Sequence, residues 1–148
     1  MNMSSKYRVD DRKHLVWVDC EMSGLDVEKD ALLEIAVIIT DNDLVELDRL
    51  GPLVLRCDKQ TLDSMDDWCK KNHGKTGLTA KCLQSQLTCE MIDDLFVENL
   101  NKHSVKGGVL AGNSISIDNL FIRKYLPKTA DLLHYRLLDV SSIKLLKQ

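Results

Sequence analysis

An α/β fold with a mixed, five-stranded sheet and flanking helices is predicted by the order in which apolar residues recur along the chain. Two apolar, β-branched runs come first, Leu15–Glu21 and Ala31–Thr40, and Asp41-Asn42-Asp43 turns the second back into a third near Leu44–Leu50. The pattern then changes to helical spacing, after which helix and short strand alternate. Three antiparallel strands followed by helix–strand–helix–strand build a mixed sheet with helices packed against it.

Each element has a local reason. The first strand, Leu15-Val16-Trp17-Val18, is apolar almost throughout, as in a strand covered on both faces. Gly51-Pro52 breaks the third strand, and Leu53–Leu55 continues the sheet beyond it. Met65, Trp68 and Cys69 repeat at i, i+3, i+4, so a helix capped by Asp63 or Ser64 runs to about Gly74. A second helix spans Cys89 to Lys102, with Ile92, Leu95, Phe96 and Asn99 on its buried stripe. Val109–Gly112 is the fourth strand. A helix starting near Ser116 buries Ile117, Leu120 and Phe121 and stops before Pro127, because the residue preceding a proline avoids the helical region. Arg136–Val140 is the fifth strand, and Ser141 caps a last short helix.

The 148 residues suit one domain, read as a polar tail over residues 1–13 and a globular unit over 14–148. Apolar residues at 44% and charged residues at 29% exclude a disordered or fibrous class. No apolar run approaches the roughly 18 residues of a membrane span, and the N-terminal stretch has no signal-peptide core, so no membrane partner is expected. The five cysteines are scattered, with no C-x-x-C, and read as free thiols of a reducing, intracellular compartment. Mitochondrial and cytoplasmic or nuclear residence are equally compatible with that pattern. Cys69 and His73 stand at i, i+4 but have no second pair at zinc spacing and are not read as metal ligands. A net charge of −3 argues against long duplex nucleic acid as partner. The segment from Leu120 to Gln148 is nonetheless basic, with six Lys or Arg against two acids, which suits a small anionic ligand.

The chemistry concentrates where the first strand ends, in Val-Trp-Val-Asp-Cys-Glu-Met-Ser-Gly-Leu-Asp over residues 16–26. Asp19 and Glu21 are two apart on a strand, so both point to one side about 7 Å from each other. An arbitrary Asp-X-Glu is most often a solvated strand end. Paired acids at the end of a buried strand repel one another unless a cation lies between them. Asp118 follows the fourth strand, in the first turn of a helix, where the helix dipole alone accounts for an acid. With Asp19 and Glu21 it completes an oxygen-donor set for hard divalent cations, and two such ions roughly 4 Å apart can drive phosphodiester hydrolysis. Lys106-Gly107-Gly108 lacks the order of a phosphate loop and reads as a turn. His134-Tyr135-Arg136 offers a guanidinium for a phosphate, or equally an amphipathic strand start. Trp68 and His73 are core-like by spacing, although Trp68 also suits base stacking.

Together with Ser64-Met65-Asp66-Asp67-Trp68-Cys69, Asn72-His73-Gly74-Lys75-Thr76-Gly77-Leu78, Ala111-Gly112-Asn113-Ser114 and His134–Ser141, the segment at residues 16–26 resembles the DEDDh 3′→5′ exonucleases, and specifically the eukaryotic oligoribonucleases, over residues 14–148. The resemblance implies a ribonuclease-H-like fold, a homodimer, and removal of nucleotides from short RNA oligonucleotides, dinucleotides above all. It implies that Asp19, Glu21 and Asp118 hold two Mg2+ or Mn2+ ions and that Leu25 wedges between bases. It further implies that Trp68 and His73 touch the substrate. Ser114, Arg136 and Ser141 would cap its 5′ phosphate, with Tyr135 contributed by the second subunit. The family pattern also carries a His followed five residues later by an Asp, downstream of Ser141, and these 148 residues contain neither. The sequence is therefore expected to be a C-terminally truncated form lacking the general base and the C-terminal helices. The alternative to an active enzyme is an inactive form that binds short RNA or dimerises with a full-length partner.

Overall fold

The computed structural model describes residues 13–148, so the N-terminal tail lies, apart from Lys13, outside the described residues. A five-stranded sheet forms the centre, in the order β3-β2-β1-β4-β5. β1 (His14–Met22), β2 (Leu32–Asp41) and β3 (Glu46–Val54) are antiparallel neighbours, while β4 (Gly108–Gly112) runs parallel to β1 and β5 (Leu133–Asp139) parallel to β4. This is the mixed sheet expected. The turn between β2 and β3 is organised by Asp41, whose Oδ1 accepts the Asp43 and Val45 N–H groups at 2.9 and 3.0 Å.

Seven helices complete the described residues: α1 (Lys59–Asp63), α2 (Asp67–Thr76), α3 (Leu78–Gln84), α4 (Cys89–Lys102), α5 (Ile115–Tyr125), α6 (Pro127–Ala130) and α7 (Val140–Leu146). α4 and α5 lie on one face of the sheet. Val16, Val18, Cys20, Ile35, Val37 and Ile39 pack there with Ile92, Phe96, Leu100, Ile115 and Ile122 in the main core. A smaller core under α1–α3 joins Leu33, Cys57, Leu62, Met65, Cys69, Leu78 and Cys82.

Several sequence expectations are corrected. β3 begins later and runs through Gly51-Pro52 instead of breaking there. It is an edge strand, where a proline's missing N–H is tolerated, and the register slips opposite it between Ile35 and Val37. The single helix expected up to Gly74 is two, because Asp58 and Asp66 each cap a separate start by accepting the Thr61 and Cys69 N–H groups. Met65 falls in the gap between them. α3 follows directly after Gly77, whose φ of 82° ends α2 in the left-handed conformation. In α5 the buried side chains are Ile115, Asp118, Phe121 and Ile122, while Leu120 faces out. In α4, Leu95 is likewise exposed. Asp139 rather than Ser141 caps α7. β1 is not covered on both faces: Val16, Val18 and Cys20 are buried, Leu15 and Trp17 half-buried, and Asp19 and Glu21 exposed.

Candidate active site

The end of β1 delivers Asp19 and Glu21 to the open face of the sheet, as strand alternation requires. α5 brings Asp118 to the other side of the same strand, where it is 6% exposed. Gly112, at the end of β4, permits this approach, since a Cβ there would lie 2.7 Å from the Val18 carbonyl oxygen. Burial, then the Asp19 and Glu21 charges, push the Asp118 carboxyl up to about 7, against an opposing pull from the Cys20 N–H. Glu21 is raised by burial and by Asp19, and His73 offsets part of that. The buried Cys20 thiol between them is pushed far up by burial and by the same three acids. Among the described residues no ion pair reaches Asp19, Glu21 or Asp118. Among the described residues no three His, Cys, Asp or Glu side chains form a ready-made metal cage. Their chemistry is that of a hard-cation donor set, namely three carboxylates whose mutual repulsion His73 and the Cys20 N–H offset only in part.

Two hollows meet at these acids. A cleft of about 460 Å³ is lined by Glu21, Met22, Gly24, Leu25, Asp66, Trp68, Cys69 and His73. Leu25 is 71% exposed and Trp68 68% exposed, so two large apolar side chains stand on its walls with little protein cover. Trp68 is therefore not the core residue its spacing allowed. Its exposure follows from α2 starting at Asp67, which buries Cys69 and His73 and turns Trp68 outward. His73 is buried, and its Nε2–H donates to the Met22 carbonyl at 2.9 Å, joining α2 to the end of β1. The second hollow, about 360 Å³, is lined by Trp17, Val18, Asp19, Ala36, Ile38, Gly112, Asn113 and Val140.

Beyond that hollow, Ser114 and Ser141 are joined through Asp139. Its Oδ1 accepts the Ser114 N–H at 3.0 Å, the Ser141 N–H at 2.9 Å and the Ser141 hydroxyl at 2.7 Å. These bonds, the Ser141 hydroxyl foremost, hold the Asp139 carboxyl below its ordinary value. Ser114 itself sits at φ 51°, an uncommon conformation for a non-glycine residue. Tyr135 and Arg136 are both exposed although adjacent, because β5 bulges there: its register against β4 slips, and the Arg136 N–H donates to His134 Nδ1 at 3.0 Å. The Arg136 guanidinium lies 5.2 Å from the centroid of the Tyr135 ring.

The structure thus gathers Glu21, Leu25, Trp68 and His73 around one cleft. Asp19 lines the adjoining hollow, and Ser114 and Ser141 meet at Asp139. Two residues went unnoticed in the sequence. Asp139 had a readable signal, an Asp one residue before a helix. Asp30 had none, yet its carboxylate accepts the Asp26 N–H at 2.9 Å and the Ser23 hydroxyl at 3.3 Å, and so shapes the loop that carries Leu25.

The exonuclease family model matches residues 16–148. An oligoribonuclease of Arabidopsis thaliana is 47% identical over 138 residues, which is 93% of this chain and 62% of that protein. A probable oligoribonuclease of Caenorhabditis elegans is 40% identical, covering 99% of this chain and 77% of that one. The mitochondrial oligoribonuclease of Homo sapiens is 43% identical over 89% of this chain and 56% of its own. The chain belongs to the exonuclease family and, within it, to the oligoribonucleases. It spans 54–62% of the length of the Arabidopsis and Schizosaccharomyces pombe relatives. Escherichia coli exonuclease I, solved with a dT13 oligonucleotide, shares the fold with a TM-score of 0.60 at 16% identity, over 89% of this chain and 29% of that one. The ribonuclease-H-like expectation is borne out.

Proposed function

We propose that this chain forms the acidic and base-binding part of a 3′→5′ exoribonuclease that hydrolyses short oligoribonucleotides, dinucleotides above all, with two Mg2+ or Mn2+ ions. The observation that carries the proposal is Glu21 lining a cleft walled by exposed Leu25 and Trp68, with Asp19 in the adjoining hollow and the buried Asp118 coupled electrostatically to both acids. Asp19, Glu21 and Asp118 would hold the ions, which when bound supply water activation and stabilise the leaving oxygen. The chain's own residues do the rest. Trp68 offers a ring face to one base, and Leu25 separates it from the next. His73 lines the cleft and ties α2 to β1, fixing the distance between Trp68 and Glu21. Arg136 faces the 5′ phosphate, with Ser114 and Ser141 held beside it by Asp139. Few phosphate contacts are then needed, which agrees with an acidic protein that does not hold a long duplex.

A homodimer belongs to the same proposal, with Tyr135 exposed as a residue that could reach a second subunit's substrate. Five free cysteines, four of them buried, support a reducing, intracellular setting. Among the described residues no helix is long and apolar enough to cross a membrane.

A second reading, binding of short RNA or pairing with a full-length partner without cleavage, is supported by the histidines. His73 is committed to Met22, His103 donates to Asp48 Oδ2 at 2.7 Å, and His134 accepts from Arg136. His14 sits at the far end of β1 from the acids. None is placed to take a proton from water beside Asp19, and lack of a general base typically costs about 10²–10⁴-fold in rate. Incubation of a 5′-labelled dinucleotide with Mn2+ separates the readings. Cleavage abolished by Asp19→Ala supports the enzyme, metal-dependent binding without cleavage supports the second reading, and neither overturns both.

A further inference from the structure

We propose that Lys124 and Tyr125 are positioning residues that hold the Leu25 loop ready for a base; the proposal rests on the reading of Leu25 as a base contact. Leu25 lies in the connection from β1 to β2, most of it exposed, and an exposed leucine on a loose loop would have to be ordered each time a nucleotide bound. The loop is not loose.

Residues 26–30 make a single helical turn, in which the Lys29 and Asp30 N–H groups donate to the Asp26 carbonyl at 3.1 and 2.7 Å. One turn leaves its last carbonyls without donors of their own. α5 supplies them. The Lys124 ammonium donates to the Val27 and Glu28 carbonyls at 2.7 and 3.1 Å, and the Tyr125 hydroxyl donates to the Asp30 carbonyl at 2.6 Å. The ammonium also lies 5.0 Å from the centroid of the Tyr125 ring, which favours the same placement. From within, Asp30 and Ser23 close the loop, Ser23 Oγ accepting the Ala31 N–H at 2.8 Å. A Cβ at Gly24 would displace the Asp30 carboxylate from the Asp26 N–H and the Ser23 hydroxyl it accepts.

The consequence lies in where α5 begins. Its first turn carries Asp118 and its last two residues grip the loop, so one rigid helix ties a carboxylate of the acid cluster to the segment presenting Leu25. β1 makes the second link, running from Asp19 and Glu21 into Ser23. Leu25 is thereby held at a set distance from the acids, and the base step it occupies has a set relation to the phosphodiester facing them.

The test compares wild type, Lys124→Met/Tyr125→Phe, Lys124→Arg and Leu25→Ala in the full chain. Amide hydrogen exchange of residues 26–31 without nucleotide reads the clamp directly. Exchange is expected to quicken in the double variant and to stay near wild type in Lys124→Arg. Unchanged exchange overturns the clamp. Affinity for a 5′-phosphorylated dinucleotide in Ca2+ reads the positioning and is expected to fall about tenfold in the double variant. In a Leu25→Ala background the same two substitutions should change affinity less than twofold, since the side chain they position is gone. A full tenfold loss in that background would mean general damage and would overturn the proposal. A wild-type chain that binds no dinucleotide overturns the proposed function and the positioning role with it, while exchange still decides whether the clamp exists.

Discussion

Val16, Val18 and Cys20 point from β1 into the main core, while Leu15, Trp17, Asp19 and Glu21, which alternate with them, point to the open face. The closed face is apolar and packs against α4 and α5. The open face carries two acids and a tryptophan whose Nε1–H is satisfied by the Thr40 hydroxyl at 3.0 Å. One strand therefore does two things through its twofold period. Alternate residues fix where it sits, and the residues between them carry charge that would be ruinous one position along. Stability and site chemistry should accordingly respond to different substitutions, and five variants test this.

The largest effect is expected on the closed face. Phe96 is fully buried against the sheet, and Phe96→Ala should cost about 3–5 kcal/mol in urea unfolding. Asp19→Ala, on the open face, should leave the unfolding midpoint unchanged or raise it, because it relieves repulsion with Glu21 and Asp118. A similar loss in both variants would break the comparison.

Asp118 joins the two faces, being buried among apolar neighbours yet coupled to the open-face acids. Its folded-state pKa of about 7 exceeds its ordinary 3.8, so between those values the folded chain holds a proton that the unfolded chain has released. Stability should therefore fall as pH rises from about 4 to 7. Without divalent metal, the melting temperature should drop across that window on the order of 5 °C more in wild type than in Asp118→Asn. Added Mn2+ at pH 7.5 should recover the loss in wild type and not in the variant. Parallel pH profiles for the two proteins would show that the acids are not coupled through the core.

How much of this could be read from the sequence depended on the range of the interaction. β1, β2 and α4 follow from periodicity and were located to within about a residue or two by their hydrophobic patterns. The acid pair was visible because its spacing and its strand are local. Gly51-Pro52 misled because proline's cost depends on whether the strand lies at an edge, which only the topology shows. Trp68 was ambiguous because Met65 shared its spacing, and the break at Asp66 that separates them is a capping event that could equally be read one turn earlier. The ties from Lys124 and Tyr125 to the Leu25 loop span 95 to 97 residues and leave no periodic trace.

Trp68 gives a smaller effect with a different readout. At 68% exposure it contributes little packing, so Trp68→Ala should shift stability by no more than about 0.5 kcal/mol. Dinucleotide affinity should nevertheless fall about tenfold, within the range for one lost base stack. Loss of stability without loss of affinity would return Trp68 to a structural role.

The smallest effect, and the finest test, sets Asp139 against Asp118. Both are acids at a helix start facing the site, but Asp139 is partly exposed and receives three hydrogen bonds, so its carboxyl lies below 3.8 where that of Asp118 lies above. The sign of linkage therefore reverses. The stabilisation from an ionised Asp139 is present above its unfolded value and disappears as pH falls through its folded value. Asp139→Asn should be slightly less stable than wild type at pH 7, and the gap should close below about pH 4. Asp118→Asn should instead be the more stable protein at pH 7, with an advantage that shrinks toward pH 4. Melting curves at about pH 7, 4 and 2.5 decide the matter with the same two variants, the upper interval reading Asp118 and the lower one Asp139. Opposite trends would mean that the site holds one carboxylate that the protein itself satisfies and another that it leaves for a cation; matching trends would remove the electrostatic argument for a metal beside Asp118.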